Sequence, residues 1–217
     1  MKKIYIFGTG GFAKEIYFLI SEINKAKSTF EVAGFIDLQP KSQHLEIGGN
    51  KFDVFDEDSF FKDSSNADAS FAIGIGNPKV LNSIKSKYLS AYDFPNLIHP
   101  NVVGLFETIQ FGKGNIITAG CIFTVDITIG SLNIFNLNST IGHDSQIGDC
   151  NVINPGTNIS GGVYIGNNNL LGTNSTVLQY IKIGNNNLIG AGAMLNTNIE
   201  NNKVAVGLPA KEIKENK

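Results

Sequence analysis

The segment "IGNNNLLG" at residues 165–172 recurs as "IGNNNLIG" at residues 183–190, which is 18 residues later. A shorter period lies inside this one, because every sixth residue from Leu105 to Leu195 is apolar. Glycine often follows these apolar positions, and the fourth residue after them is mostly small or aliphatic, as at Ser139 and Ala193. A period of six within a period of eighteen predicts a parallel β-helix with three faces per coil.

The interior and the corners of such a helix account for the rest of the pattern. Large aliphatic side chains at every sixth position would stack inside the prism at about 4.8 Å per coil. Glycine and asparagine suit the corners because they tolerate positive φ, which accounts for the asparagine triplets without a function. The three-faced hexapeptide prisms of known protein families, which this repeat resembles, are left-handed, an exception to the usual right-handed crossover. We therefore expect a left-handed parallel β-helix of about five coils over residues 99–217.

The N-terminal part of the chain follows a different pattern, in which short apolar runs alternate with helical periodicity. Three buried strands are predicted at residues 3–7, 30–37 and 70–76, and three helices at residues 12–23, 56–63 and 77–89. Alternating strands and helices favour a small parallel sheet with helices on its faces. We expect a Rossmann-like α/β domain over residues 1–98.

Composition narrows the classes of partner and compartment. A net charge of −2 gives no electrostatic reason to expect a nucleic acid or an anionic membrane as partner. The two cysteines do not form a disulfide framework, which fits a reducing compartment. No apolar run reaches the roughly 18 residues of a membrane span, and the first apolar run stops at Gly8, too early for a signal peptide. The expected location is the cytoplasm.

One family shares the order of these features. Its marks in this chain are "GTGGFAKEI" (8–16), "FID" (35–37), "AIGIGN" (72–77), "NLIHP" (96–100), "GHDSQIGD" (142–149) and "VGLPAK" (206–211). Together they resemble the sugar O-acyltransferases of the sialic-acid O-acetyltransferase (NeuD) type, which include the PglD-like N-acetyltransferases of nucleotide-linked amino sugars. The resemblance covers nearly the whole chain, whereas the hexapeptide half alone would indicate only a wider acyltransferase superfamily.

The resemblance implies a homotrimer that binds acetyl-CoA, its co-substrate, between neighbouring β-helices. His143 matches the family's general base, Asp144 the acidic residue after it, and Gly161 the glycine that holds the oxyanion. The other positions that the resemblance assigns to acetyl-CoA are Thr173, Gly190, Ala191 and Pro209. The chain departs from some members at Phe12 and near Val152, where those members carry histidines.

His143 also attracts attention without the resemblance. It is the only histidine after His99, and it stands two residues after the apolar position Ile141, so it should point outward. Acyl transfer requires a base to remove the nucleophile's proton, and an imidazole that ionises near pH 6.5 suits this task. A carboxylate could orient the ring. Side chains of adjacent strand residues diverge, so Asp144, Asp149 or a neighbouring subunit remain candidates. An exposed histidine without a role is the plain alternative, and Gly161 could be a simple corner glycine.

The segment "GTGGFA" fits the pattern G-x-G-x-x-A between a strand and a helix, with Asp37 at the end of the next strand. This pattern alone favours NAD, but nothing downstream resembles a hydride-transfer site. Its N–H groups could equally hold a diphosphate, or the segment could be a structural turn. We expect a nucleotide sugar here, and the candidate contacts are Gly8, Gly10, Gly11, Phe12, Asp37, Asn136 and Asn138.

Several other functions fit the sequence less well. A γ-carbonic anhydrase needs several histidines on zinc, and only His143 lies inside the repeat, so no metal site is expected. An ice-binding solenoid would need regular threonine ladders, and a scaffold would not need the glycine loop. Neither Cys121, at an inward small position, nor Cys150 resembles a nucleophile. The sequence predicts N-acetylation of a nucleotide-linked (4-)amino sugar in surface glycan synthesis. O-acetylation of sialic acid or a related sugar is the alternative enzyme activity, and a binding or scaffold solenoid is the non-enzyme alternative.

Overall fold

The computed structural model describes residues 1–63 and 68–216. The N-terminal domain holds a five-stranded sheet in the order β3-β4-β2-β1-β5. Its strands are β1 (Lys2–Phe7), β2 (Phe30–Asp37), β3 (His44–Ile47), β4 (Asn50–Asp56) and β5 (Ser70–Ile73). Its helices are α1 (Gly11–Ala26), α2 (Glu57–Lys62) and α3 (Pro78–Tyr88). The three predicted strands and the three predicted helices are all present, with small differences at their ends.

The sequence analysis missed one hairpin. Strands β3 and β4 pair antiparallel around Gly48 and Gly49, whose φ angles are 57° and 82°. Two glycines with positive φ form the type of turn that joins two strands tightly, so this dipeptide was the available signal. The flanking residues are mostly exposed or half-buried, and the apolar run that would have indicated a core strand is therefore absent.

The C-terminal part is a parallel β-helix with three faces. The first face contains β6 (Leu97–Ile98), β9 (Ile116–Ile117), β12 (Ile134–Phe135), β15 (Val152–Ile153), β18 (Leu170–Leu171), β21 (Leu188–Ile189), β23 (Lys203–Gly207) and β24 (Ala210–Glu215). The second contains β7 (Val103–Gly104), β10 (Ile122–Phe123), β13 (Thr140–Ile141), β16 (Asn158–Ile159), β19 (Thr176–Val177) and β22 (Met194–Leu195). The third contains β8 (Ile109–Phe111), β11 (Ile127–Ile129), β14 (Gln146–Ile147), β17 (Tyr164–Ile165) and β20 (Lys182–Ile183).

Three corners join these faces, and each takes a name used below. The histidine corner (residues 142–145 and their equivalents in other coils) joins the second face to the third. The asparagine corner (148–151 and equivalents) joins the third face to the first. The α1 corner (136–139 and equivalents) joins the first face to the second and lies beside α1.

The predicted core is present except at its first positions. Every sixth residue from Ile117 to Leu195 is buried inside the prism. Leu105, however, is 45% exposed and Phe111 is only partly buried, so the prediction is wrong at Leu105. Leu105 precedes a 3₁₀ turn, Phe106–Thr108, at the N-terminal end of the prism, where no earlier coil covers it.

The asparagine triplets serve more purposes than the sequence suggested. Only the middle residue, such as Asn168 with φ of 60°, needs a left-handed backbone. The third asparagines belong to a buried ladder, in which the Asn169 backbone N–H and amide Nδ2 both donate to Asn151 Oδ1 of the previous coil. The first asparagines form an outer ladder in the opposite direction, since the Asn167 N–H donates to Asn185 Oδ1 of the next coil. Buried amides with partners on both sides fix the register of the coils.

The N-terminal domain packs on the first face, and one apolar core includes residues of both parts, for example Ile16 and Val152. Lys85 of α3 also pairs with Asp149 at 2.5 Å. Strand β6 already belongs to the β-helix. The division of the chain after residue 98 stays a prediction.

Candidate active site

His143 lies at the histidine corner, with its side chain 54% exposed. Its ring Nδ1 is 2.7 Å from Asp144 Oδ2. Asp144 has a φ of 59°, so the chain turns left-handed here and brings the two neighbouring side chains to the same side. The expectation that adjacent side chains diverge is wrong at this position, because the residues occupy a corner and not a strand.

Gly161 lies one coil beyond His143, as the 18-residue period predicted. The Gly162 N–H donates to the His143 carbonyl oxygen at 2.7 Å, and this hydrogen bond fixes the two successive coils against each other at the histidine corner. A Cβ atom on Gly161 would overlap the His143 ring, and Nε2 would be its nearest neighbour. The Gly161 N–H has no hydrogen-bond acceptor among the described residues. The corner thus brings together an oriented imidazole and an unpaired amide donor.

Asp149, the alternative partner of His143, is engaged elsewhere. It lies at the asparagine corner, where its carboxylate accepts a hydrogen bond from the Ser131 N–H at 2.6 Å and pairs with Lys85. The third face of the prism separates these contacts from the histidine corner. Asp149 therefore connects the two parts of the chain and does not contact His143.

The glycine loop lies at the carboxyl end of β1. Gly8 has a structural reason to be glycine, since its φ is 95° and a Cβ would collide with Ile75. Gly10 and Gly11 have no such reason, because a Cβ on either would meet nothing within 4 Å. Gly10 caps α1 without a side-chain hydrogen bond. Exposed N–H groups at a helix N-terminus form a suitable site for an anion.

Two predicted contacts flank this loop. Asp37 ends β2 and accepts hydrogen bonds from the Thr9 hydroxyl at 2.5 Å and from the Gln39 N–H at 3.1 Å. Thr9 was not singled out in the sequence, although it stands inside the glycine motif. Phe12 is half-buried and packs against the core of the N-terminal domain.

The remaining predicted residues lie on the α1 corner, apart from His143. Asn138 has a φ of 58° and its amide oxygen covers Gly120, while Asn136 accepts a hydrogen bond from the Leu137 N–H at 2.8 Å. Both asparagines therefore have local structural roles. Thr173, Gly190 and Ala191 follow on the same corner in later coils, and Pro209 stands in the turn between β23 and β24. Within one chain, the predicted acetyl-CoA residues thus divide between two corners, and only Gly161 accompanies His143.

A cavity of about 350 Å³ adjoins the histidine corner. It is lined by Asp144, Gln146, Gly162, Val163, Tyr164 and Lys182. The sequence analysis missed the polar residues of this wall. Side chains alternate between the two sides of a strand, so each strand of the third face must turn one side chain outward. That alternation was the available signal. A further aromatic residue, Tyr180, packs against Gly162 from the next coil.

A larger cavity of about 510 Å³ lies far from His143, between the start of α3 and the asparagine corner. Asn168 Oδ1 and Asn187 Nδ2, both among its lining residues, are buried without a hydrogen-bond partner. The amide of Asn169 still donates to the Gly184 carbonyl, 15 residues later. The next coil is shorter, since the Lys203 N–H already donates to Asn187, 16 residues earlier. The unpaired Asn187 amide therefore marks the end of the ladder.

The cysteines have the environment of structural residues. Burial raises the pKa of the Cys121 thiol to about 11 and that of the Cys150 thiol to about 12. Both thiols are therefore protonated at neutral pH and poor nucleophiles. Among the residues that the structure describes, no three His, Cys, Asp or Glu side chains could together hold a metal ion. None of the described helices has both the length and the apolar character to cross a membrane.

Solved structures resemble the whole chain. The perosamine N-acetyltransferase of Caulobacter crescentus, solved as a histidine variant with CoA and GDP-perosamine, is 24% identical with a TM-score of 0.86, over 99% of this chain and 98% of that one. The acetyltransferase domain of PglB from Neisseria gonorrhoeae, solved with acetyl coenzyme A, is 22% identical with a TM-score of 0.85, over 98% and 99%. WeeI from Acinetobacter baumannii is 22% identical with a TM-score of 0.82, over 98% and 100%.

Family models match both parts of the chain. No curated protein sequence is significantly similar to it. Residues 3–88 match the PglD N-terminal domain, and residues 144–179 and 162–197 match the bacterial transferase hexapeptide (six repeats). The predicted fold, a Rossmann-like α/β domain followed by a left-handed parallel β-helix, is confirmed, and so is the resemblance to PglD-like proteins. Residues 3–88 are thus similar to the N-terminal domain of PglD, and residues 144–197 are similar to the hexapeptide repeats of bacterial transferases.

Proposed function

We propose that the protein transfers the acetyl group of acetyl-CoA to the amino group of a nucleotide-linked amino sugar. One observation carries the proposal: an imidazole whose Nδ1 is held by Asp144 and whose Nε2 lies against Gly161. This is the arrangement that direct acyl transfer requires. The ligands with which the structural neighbours were solved, CoA with GDP-perosamine and acetyl coenzyme A, support the same two substrates.

The chemistry follows from the two sides of the imidazole. His143 Nε2 removes a proton from the substrate amine as the amine nitrogen attacks the thioester carbonyl carbon. Asp144 holds the ring in the tautomer that leaves Nε2 unprotonated and then stabilises the imidazolium. The Gly161 N–H donates to the carbonyl oxygen as negative charge develops there. The carbon–sulfur bond then breaks, and the proton passes to the sulfur of CoA. No covalent enzyme intermediate is needed, in agreement with the protonated cysteines.

The nucleotide part of the substrate is assigned to the glycine loop. Gly10 and Gly11 have no neighbours within the chain that demand glycine, so close approach of a ligand is the remaining physical reason for both. A diphosphate would accept hydrogen bonds from the first N–H groups of α1. The Asp37 carboxylate, fixed by Thr9, is placed to accept a hydrogen bond from a ribose or a base.

A direct assay tests the function. The purified protein is incubated with acetyl-CoA and 4-amino sugars linked to UDP, GDP or dTDP, and release of the CoA thiol is followed together with the mass of the sugar product. We expect a mass gain of one acetyl group on nitrogen for one of these substrates. Acetylation of sialic acid on oxygen, with none of the amino sugars accepted, would favour the alternative activity. We place the reaction in the cytoplasm, as a step of surface glycan synthesis.

We also propose a homotrimer. The candidate acetyl-CoA residues divide between the histidine corner and the α1 corner, so one complete site requires corners from two chains. Three chains arranged in a ring satisfy this requirement three times with closed symmetry. Light scattering is expected to give three times the mass of the chain. A fully active monomer would contradict both the trimer and the shared site.

Replacement of Gly11 by valine tests the glycine loop. A Cβ at this position meets no atom within 4 Å in the free protein, so folding should be nearly unaffected, within about 0.5 kcal/mol. It would, however, occupy the space in which the nucleotide approaches the helix N-terminus. We expect KM for the nucleotide sugar to rise about tenfold or more, equivalent to a loss of about 1.4 kcal/mol, while KM for acetyl-CoA stays near that of the wild type. Equal increases in both constants would contradict this assignment.

A further inference from the structure

The cavity of about 510 Å³ between the start of α3 and the asparagine corner has no part in the proposed reaction. Its lining includes neither the glycine loop nor the histidine corner. Seven of its twelve lining residues are asparagines, and Lys79 is the only lining residue with a charge. Amide side chains both donate and accept hydrogen bonds, so this lining suits a neutral, polar ligand.

Asn187 brings a buried hydrogen-bond donor to this cavity. Its side chain is fully buried, and its Oδ1 accepts from the Lys203 N–H at 2.7 Å, which fixes the orientation of the amide. Its Nδ2 is therefore the group that has no partner among the described residues. One coil earlier, the equivalent Asn169 Nδ2 donates both to Asn151 Oδ1 and to the Gly184 carbonyl oxygen. An unpaired buried donor is costly, and an acceptor on a ligand would remove that cost.

Asn168 supplies the complementary group. Its Oδ1 is also buried without a partner among the described residues, and it lines the same cavity. The partly buried side chains of Leu170 and Leu188 add apolar surface to the lining. An acetamido group matches this combination, because its carbonyl oxygen accepts, its N–H donates and its methyl group is apolar.

The start of α3 does not suit an anion, which would be the alternative ligand. Pro78 has no N–H, and the Lys79 N–H already donates to Asn77 Oδ1 at 2.9 Å. The Leu81 N–H donates to the Asn77 carbonyl oxygen at 3.0 Å. Anion binding at a helix N-terminus needs unpaired N–H groups, so a neutral ligand fits this cavity better.

We propose that this cavity binds an N-acetylated sugar through its acetamido group. Asn187 Nδ2 donates to the acetamido carbonyl oxygen, and the acetamido N–H donates to Asn168 Oδ1. The methyl group packs on Leu170 and Leu188, and the ring hydroxyls meet the remaining asparagine amides. This binding function is separate from acetyl transfer, although an acetylated amino sugar belongs to the same class of ligand and a free amino sugar does not.

Saturation-transfer NMR on the whole protein with N-acetylglucosamine tests the site without acetyl-CoA or a nucleotide. We expect the acetamido methyl group to receive the strongest saturation, because this group contacts the leucines. Glucosamine and glucose carry an amine or a hydroxyl in place of the acetamido group. Both should bind at least about tenfold more weakly, which corresponds to the loss of one or two hydrogen bonds.

Two substitutions of Asn168 form a matched pair. Asn168→Gly and Asn168→Asp both suit its φ of 60°, but only the aspartate retains an acceptor. We expect Asn168→Gly to raise Kd for N-acetylglucosamine about five- to tenfold, whereas Asn168→Asp should bind it like the wild type. Asn187→Asp replaces the donor by an oxygen and keeps the acceptor for the Lys203 N–H, so it should also weaken binding. Its melting temperature shows whether it folds.

The outcomes separate this site from the proposed active site. His143→Ala and Gly11→Val alter the proposed active site and should leave Kd for N-acetylglucosamine unchanged. If either variant weakened binding, this sugar would occupy the active site and the proposal would be wrong. Equal binding of glucose, no saturation transfer, or unchanged binding by Asn168→Gly would also overturn it. Because none of these measurements involves acetyl transfer, a failure here leaves the proposed function intact. A protein that binds N-acetylglucosamine but transfers no acetyl group would contradict only the proposed function.

Discussion

Replacement of His143 by alanine is expected to lower kcat by about 10²–10⁴-fold, the usual contribution of a general base. The imidazole Nε2 lies against Gly161, where it can remove a proton from an amine beside the Gly161 N–H. Acetyl-CoA should still bind, because the residues proposed to hold it, Gly161 and those of the α1 corner, are unchanged in this variant. Steady-state kinetics on the accepted sugar, with calorimetry for acetyl-CoA, measures both effects.

Two controls sharpen this expectation. The side chain of His143 is more than half exposed, so its removal should change the free energy of unfolding by less than about 0.5 kcal/mol. Asp144→Asn keeps the shape and the left-handed backbone of the corner but removes the charge that orients the ring, so it should cost less activity than His143→Ala. If His143→Ala kept most of its activity, the histidine would not be the base.

The repeat predicted the fold so well because the β-helix has a simple physical rule. Each coil places one large apolar side chain per face inside the prism, and the six-residue spacing of these side chains survives in the sequence from Ile117 to Leu195. The same rule fails at Leu105, where the stack ends and solvent replaces the next coil. Periodicity therefore predicts the interior and says little about the ends.

The site was less predictable, since it depends on corners and on neighbouring coils. The contact between His143 and Asp144 requires a left-handed residue at position 144, and nothing in the alternation of a strand indicates it. The roles of the asparagines were hidden for a similar reason. Asn151 and Asn167 contact residues 18 positions away in opposite directions, although both occur in ordinary corner sequences. Tyr180 was missed because its packing on Gly162 appears only when the coils are stacked.

Gly161→Ala is expected to separate activity from stability more clearly than any other single change. The added Cβ would collide with the His143 ring, which is exposed and can rotate away, and not with the backbone. Folding should therefore change little, since the equivalent positions in the two neighbouring coils, His143 and Gln179, already carry side chains. Catalysis should suffer, because the base moves from its place beside the oxyanion donor, and a displacement of about 1 Å can cost about 10²-fold in rate. We expect kcat to fall by about that factor.

Gly142→Ala provides the contrast, because its Cβ would collide with the backbone of Gly161, which cannot move aside. That variant should lose stability as well as activity. The double variant His143→Ala/Gly161→Ala completes the test. Without the ring, the Cβ has room, so Gly161→Ala should cause little further loss of kcat beyond that of His143→Ala. If the two losses multiply instead, Gly161 acts independently of the imidazole, through its own N–H alone. A thermodynamic cycle of this kind measures the coupling between the two residues directly, and only strong coupling agrees with a glycine that is small because the histidine lies on it.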